Sequence, residues 1–262
     1  MSYNIFIIFI LSMLINGCGI KPNPNQLNLV MPGDPKSIDP AYATDVRTGQ
    51  LCALLYDNLV RFGKGAELLP GLSENWKISN DALTYSFQLK DSVLFQSGKQ
   101  FLCTDVKNSF ERILDAKTNS HRKWLFKNVK GASAFSSGNI ASVTGFLCVD
   151  DHTFKIELKK PFSPFLEFLA MPSASIIHES QGGEIIGTGP WKLKEWIHDG
   201  HILFERNNDY FNGPPKLESL KIRILPEALP RTAEFVTGYL DIMEVPEAEF
   251  SIWENDPEWG PN

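Results

Sequence analysis

The sequence predicts a mixed α+β (α/β) fold built in two lobes. Three observations carry this. Helical spacing and two-residue alternation both recur along the chain, without the strict strand–helix–strand rhythm of a parallel sheet. The chain has 262 residues, 43% hydrophobic and 21% charged, enough to bury a substantial core as one large domain or two ordinary ones. The pattern also changes character at Gly187, where a second set of strands begins.

Gln26 to Met31 alternates apolar and polar residues and reads as a strand, with loop from Pro32 to Pro40. Thr44-Asp45 can cap a helix whose apolar positions are Val46, Leu51, Leu54, Leu55 and Leu59. Gly63 to Gly65 is a turn. Leu83, Tyr85, Phe87 and Leu89 share one face of a strand, and Asn80-Asp81 separates it from Trp76–Ser79, which gives a hairpin. Thr104 is then placed to cap a helix with Val106, Phe110, Ile113 and Leu114 on one stripe.

A second hairpin runs from Val143 to Val149, through Asp150-Asp151-His152, into Phe154, Ile156 and Leu158. Ser163-Pro164 starts an apolar helix through Phe165, Leu166, Phe168 and Leu169. Beyond Gly187, Trp191–Trp196 and His201–Arg206 flank a His198-Asp199-Gly200 turn. Leu220, Ile222 and Ile224 mark another strand. Pro226 to Val236 is helical, with Gly238 placed to end it, and Leu240 to Val245 reads as a short strand.

Met1 to Gly17 carries no charged side chain, and Ile5–Ile15 is apolar except for Ser12. This run falls short of the roughly 20 residues a spanning helix needs and has signal-peptide length. Ile15-Asn16-Gly17-Cys18 follows it and resembles the lipobox of bacterial lipoproteins, which implies cleavage after residue 17 and acylation of Cys18. Asn16 and the absence of Lys or Arg before the apolar run depart from that pattern. The competing reading is a buried N-terminal strand with an incidental cysteine. Residues 18–26, with Lys21-Pro22-Asn23-Pro24-Asn25, read as an extended tether. Cys52, Cys103 and Cys148 remain. Three is odd, so a complete framework of bridges within the chain is excluded, and apolar neighbours mark them as small buried hydrophobes.

Lys plus Arg is 25 against 31 for Asp plus Glu, a net charge of −6, and no run of basic residues supplies a nucleic-acid footprint. Catalytic motifs begin and do not complete. Gly187-Thr188-Gly189-Pro190 lacks the Lys-Ser/Thr of a phosphate loop. His178-Glu179 has Gly182 where a second zinc ligand belongs, and Gly71-Leu72-Ser73 has Asn75 where a nucleophile elbow needs glycine. His198 and His201 flank a turn with no carboxylate or thiol placed to complete a metal site. The expectation is a protein that is not an enzyme, with no cofactor and no metal.

Five blocks, in order, resemble the extracytoplasmic solute-binding proteins of the oligopeptide/dipeptide ABC transporter family. They are Pro35-Lys36-Ser37-Ile38-Asp39-Pro40; Leu69–Trp76 with Leu83–Asp91; Thr104-Asp105-Val106 through Ser109-Phe110-Glu111-Arg112; Gly187–Leu193 with Glu205–Phe211; and Gly238-Tyr239-Leu240-Asp241. Ser73, Cys103, Asn208 and Tyr239 depart from the family's usual residues without altering size or charge enough to break a fold.

The resemblance implies a periplasmic-binding-protein-like type II lobe formed by 27–61 and 187–246. An inserted lobe spans 62–186, a tail spans 247–262, and the family's C-terminal lobe is missing. It implies a lipid-anchored, peptide-binding component of an ABC import system, held at the bacterial cell envelope and facing the periplasm or exterior. Its partners would be an oligopeptide, the permease subunits, the membrane and a separate chain carrying the missing lobe. The other reading is a non-transporting remnant or surface lipoprotein without a complete cleft. The implied ligand-facing residues are Tyr42, Ala43, Thr44, Met171, Trp191 and Phe235; Trp191 and Phe235 read equally as core aromatics.

Overall fold

The computed structural model describes residues 23–257 and 259–260. The expected signal peptide, Cys18 and the first part of the tether lie outside them. In chain order the strands are β1 (Gln26–Met31), β2 (Val60–Phe62), β3 (Leu68–Pro70), β4 (Ser73–Ile78), β5 (Thr84–Leu89) and β6 (Phe146–Asp150). Then come β7 (Thr153–Glu157), β8 (His178–Glu179), β9 (Ile185–Ile186), β10 (Trp191–Ile197), β11 (His201–Arg206) and β12 (Ser219–Ile224). The helices are α1 (Val46–Leu55), α2 (Cys103–Leu114), α3 (Ala132–Ser136), α4 (Phe165–Leu169), α5 (Ala228–Val236) and α6 (Phe250–Glu254).

Two four-stranded sheets organise the chain. One has the order β1-β12-β11-β10, with β1 parallel to β12 and the other pairs antiparallel. The second, β4-β5-β7-β6, is antiparallel throughout. Alternation sets which faces are buried. On β12 Leu220, Ile222 and Ile224 point inward, and on β5 Tyr85, Phe87 and Leu89 do so. The first sheet packs with Leu51, Cys52, Leu55 and Tyr56 of α1 and the residue after it. The second packs with α2 and α4 around a phenylalanine cluster in which Phe110 lies 4.6 Å from Phe126 and 5.6 Å from Phe146. The mixed α/β class is the one the sequence predicts.

Four local expectations are corrected. Thr104 does not cap α2: the N-cap is Leu102, and Asp105 in the first turn accepts the Leu102 N–H at 2.9 Å. The third helical residue reaches back to the cap residue's own N–H, as in one half of a capping box. Leu59 is not on α1, which ends at Leu55 with the chain extended at Tyr56; Leu59 is buried in the other core. Leu240–Val245 forms no strand. Its contacts with β1 are the Asp241 N–H donating to Asn28 O and the Asp241 carboxylate accepting from the Asn28 N–H, so a side chain occupies a position that a ladder would need. Finally, Cys103 and Cys148 form a disulfide, with Cα atoms 5.7 Å apart, joining the start of α2 to β6. An odd count excludes a complete framework but not a single pair. Among the described residues Cys52 alone is a free buried thiol, pushed up to about 12 by desolvation and by the charges of Asp39 and Asp45.

Candidate functional site

The loop before α1 is held from every side. Asp39 caps a single 3-10 turn, Pro40–Tyr42, by accepting the Ala41 N–H at 2.9 Å. The same carboxylate receives both arms of the Arg112 guanidinium from α2, at 2.9 and 2.6 Å. This forked pair fixes orientation as well as charge, and the bond to Asp39 holds Arg112 above its ordinary value despite burial. Tyr42 Oη donates to Thr118 O at 2.9 Å. The Ala43 carbonyl accepts from Arg122 Nε at 2.8 Å and from Ser173 Oγ at 3.1 Å.

Asp45 then starts α1 by accepting the Thr48 N–H and hydroxyl, both at 3.0 Å. Burial pushes the Asp45 carboxyl up, but these bonds, with Lys36 and Arg47 nearby, outweigh it and hold it below the usual range.

Between these anchors lies Thr44. It is exposed, and it makes no hydrogen bond, main-chain or side-chain, among the described residues. It borders a groove of about 540 Å³ with Ala43, Val46, Gly49, Arg122, Met171 and Pro172. Met171 is fixed from behind, since its carbonyl accepts from Asn58 Nδ2 at 2.7 Å. The structure therefore brings Ala43, Thr44 and Met171 together, with Tyr42 directly before them on the same loop.

Trp191 and Phe235 lie elsewhere. Trp191 opens β10, pairs with Arg206 and packs on the first core. Phe235, on α5, is 5.7 Å from the Trp253 ring and 5.0 Å from that of Trp259. Cys18 lies outside the described residues.

Sequence reasoning did not single out Arg112, Arg122 and Ser173, the groups that hold this loop. Arg112 belongs to a family block, but nothing in the spacing of any of the three pairs it with residue 39 or 43. It also missed the seam between the sheets. Gln96 Nε2 lies 2.7 Å from Trp191 O and 3.2 Å from both Leu55 O and Gly189 O, and its N–H donates to Gly187 O. The glycines of Gly187-Thr188-Gly189 are required here: a Cβ on Gly187 would meet Leu55 O at 2.0 Å, and one on Gly189 would meet Leu55 C at 2.4 Å. Close backbone approach, not phosphate binding, explains the motif. Beside it Asp57 accepts from Thr188 Oγ1 at 2.7 Å and Tyr210 Oη at 3.0 Å. Burial raises the Asp57 carboxyl above its ordinary value, against the lowering pull of those two bonds and of Arg61. Among the described residues no group of His, Cys, Asp and Glu is arranged to hold a metal ion.

Residues 67–258 match the family described as bacterial extracellular solute-binding proteins, family 5 Middle. Among curated proteins, the chain is 30% identical over 226 residues to the Di/tripeptide-binding protein 2 of Pseudomonas aeruginosa (strain UCBPP-PA14), covering 78% of this chain and 42% of that protein. It is also 30% identical over 238 residues to the Dipeptide-binding protein of Escherichia coli (strain K12), covering 82% and 43%. Among solved structures, the Escherichia coli murein tripeptide binding protein MppA superposes with a TM-score of 0.81 at 25% identity, over 88% of this chain and 48% of that one. The chain thus spans about two fifths of the length of these curated relatives. With the family model matched over well more than half of its length, this chain belongs to the bacterial extracellular solute-binding proteins of family 5.

Proposed function

We propose that this chain supplies one wall of the ligand cleft of a peptide-binding component in an ABC import system, anchored by acylation at Cys18. The observation that carries the reading is Thr44: it is exposed and its main chain is unpaired among the described residues, between a loop and a helix start that are both fixed by half-buried hydrogen bonds. An extended peptide adds main-chain pairs to such an edge, and a preorganised edge costs little to order on binding. Met171 and the apolar floor of the groove would receive a side chain. Trp191 and Phe235 serve packing in this reading. Their positions in the first core and in the Trp253–Trp259 cluster support that role.

We assign 27–61 and 187–246 to a first lobe and 62–186 to an inserted one. The two buried clusters support this, with Ala41, Leu59 and Val60 crossing into the second cluster and Ile177 into the first. A disulfide is at home in an oxidising compartment, which supports a location outside the cytoplasm.

The test is amide hydrogen exchange across residues 42–44. Three samples are compared: the chain alone, the chain with a second polypeptide carrying the family's remaining length, and both with a dipeptide or tripeptide. Protection at Thr44 confined to the third mixture is expected; unchanged exchange in all three, with no complex by sedimentation, overturns the reading. The anchor is checked by palmitate labelling in bacteria, where a Cys18→Ala chain should lose all label and leave the membrane fraction.

A further inference from the structure

No run of basic residues stands in the sequence, yet the fold assembles a basic face from two separate stretches. Residues 122–134 and 158–168 together carry six Lys or Arg (Arg122, Lys123, Lys127, Lys130, Lys159 and Lys160) against one acid, Glu167, in a chain whose net charge is −6. A bridge between Val129 and Leu158, with the Lys159 N–H donating to Asn128 O at 2.8 Å, lays the stretches side by side. Two adjoining grooves share Trp124, Lys127 and Ser133; Lys123 borders one of about 330 Å³, and Lys159 and Lys160 border the other, of about 590 Å³.

The charges are poorly neutralised within the chain. Lys130 is answered by Glu157 at 3.0 Å, and Lys159 Nζ is held by Lys127 O at 2.8 Å. Lys123, Lys127 and Lys160 have no carboxylate partner among the described residues. Glu167 lies toward Tyr85, whose hydroxyl it helps to push up after desolvation.

Between the lysines sits an aromatic surface. Trp124, 37% exposed, stands edge-on against Phe168 with centroids 4.9 Å apart, and Phe168 meets Phe162 at 5.2 Å.

We infer that this face docks on the surface of a bilayer containing anionic lipid. A nucleic-acid duplex, whose bases stay stacked on one another, meets the cations with its phosphates and leaves the aromatic floor unused. A membrane interface takes both at once: tryptophan settles at headgroup level, and lysine stems lie along apolar surface while their ammoniums meet lipid phosphates. The rest of the molecule, which is net acidic, is repelled by the same surface, so this face is the one turned toward it. The inference is independent of what the cleft binds, because the lysines and aromatic rings it rests on lie outside the Tyr42–Thr44 groove, and of the six cations only Arg122 borders that groove.

The experiment is vesicle co-sedimentation of the full chain, comparing phosphatidylglycerol-containing with pure phosphatidylcholine vesicles at low salt. The apolar N-terminal segment is present in every sample and cancels in the ratio of the two. The wild type should favour the anionic vesicles. A Lys123→Gln/Lys127→Gln/Lys160→Gln chain should lose that preference by about a hundredfold, at roughly fivefold for each charge removed near the surface. The matching triple Lys→Arg chain should keep it, which separates loss of charge from loss of fold. Equal retention on both vesicles by the wild type, or an anionic preference unchanged in the Gln variant, overturns the inference. So does a lysine-dependent affinity for duplex DNA that displaces the chain from anionic vesicles.

Discussion

At the scale of single residues, Asp57 is the group whose environment and chemistry are most at odds. Burial favours its neutral form, while Thr188, Tyr210 and Arg61 favour the charged one, and burial wins. An acid whose folded-state value is raised binds its proton more tightly when folded. Its contribution to stability is therefore fully present below the unfolded value, near 3.8, and is lost as pH rises through the raised one. Asp57→Asn removes the proton and leaves one hydroxyl donor without its carboxylate oxygen, a pH-independent offset of about 1–3 kcal/mol. The readout is thus the slope. Denaturant unfolding from pH 4 upward should show the wild type losing stability relative to Asp57→Asn; parallel curves would contradict the burial account. Little of this was legible in the sequence. Asp57 sits in an ordinary helix-to-strand connection, and its partners are 131 and 153 residues away. What was legible at this scale is the capping of α1 by Asp45, because a cap and its helix are neighbours in sequence.

Among elements, the alternating strands and the hairpins formed where the pattern placed them, since period-two burial is written locally. Two of the failures share one cause, dependence on a partner far along the chain. Leu240–Val245 has strand composition but meets β1 through a carboxylate, and Cys103 and Cys148 are 45 residues apart with nothing local to mark them as a pair. That pair ties the first turn of α2 to β6, so its effect belongs to the packing of helix on sheet. Constraining a loop of this length in the unfolded chain contributes about 3–4 kcal/mol. Cys148→Ser should accordingly lower the unfolding free energy by about that amount. The far-ultraviolet circular dichroism of the folded state should be unchanged, because Asp105 still satisfies the Leu102 N–H at the helix start. A loss below 1 kcal/mol in urea titration would mean that the surrounding aromatic cluster already confines both segments.

For the whole molecule, what matters is how two sheets with separate cores behave as one body. The seam is partly apolar, through Ala41, Leu59, Val60 and Ile177, and carries a polar tie. Gln96, from the loop after β5, donates across it to main-chain carbonyls near the end of α1 and the start of β10, while Gly187 and Gly189 let the backbones touch. Side-chain amide bonds of this kind each contribute about 1 kcal/mol net, but removing the amide also leaves carbonyls without their donor, which costs more. The seam holds the segment from Leu55 to Asp57 against Gly187–Trp191, and Leu55 closes the helix whose first turn adjoins Thr44. Loosening the seam should therefore be felt in the groove as well as in stability. Gln96→Ala should lower stability by about 1–3 kcal/mol and broaden or split the calorimetric transition, because the two cores then melt with less coupling. Gln96→Glu keeps the size of the side chain but places an acceptor against carbonyls that are themselves acceptors, so it should be at least as damaging. A single sharp transition in both variants, at the wild-type temperature, would show that apolar contact alone unites the sheets.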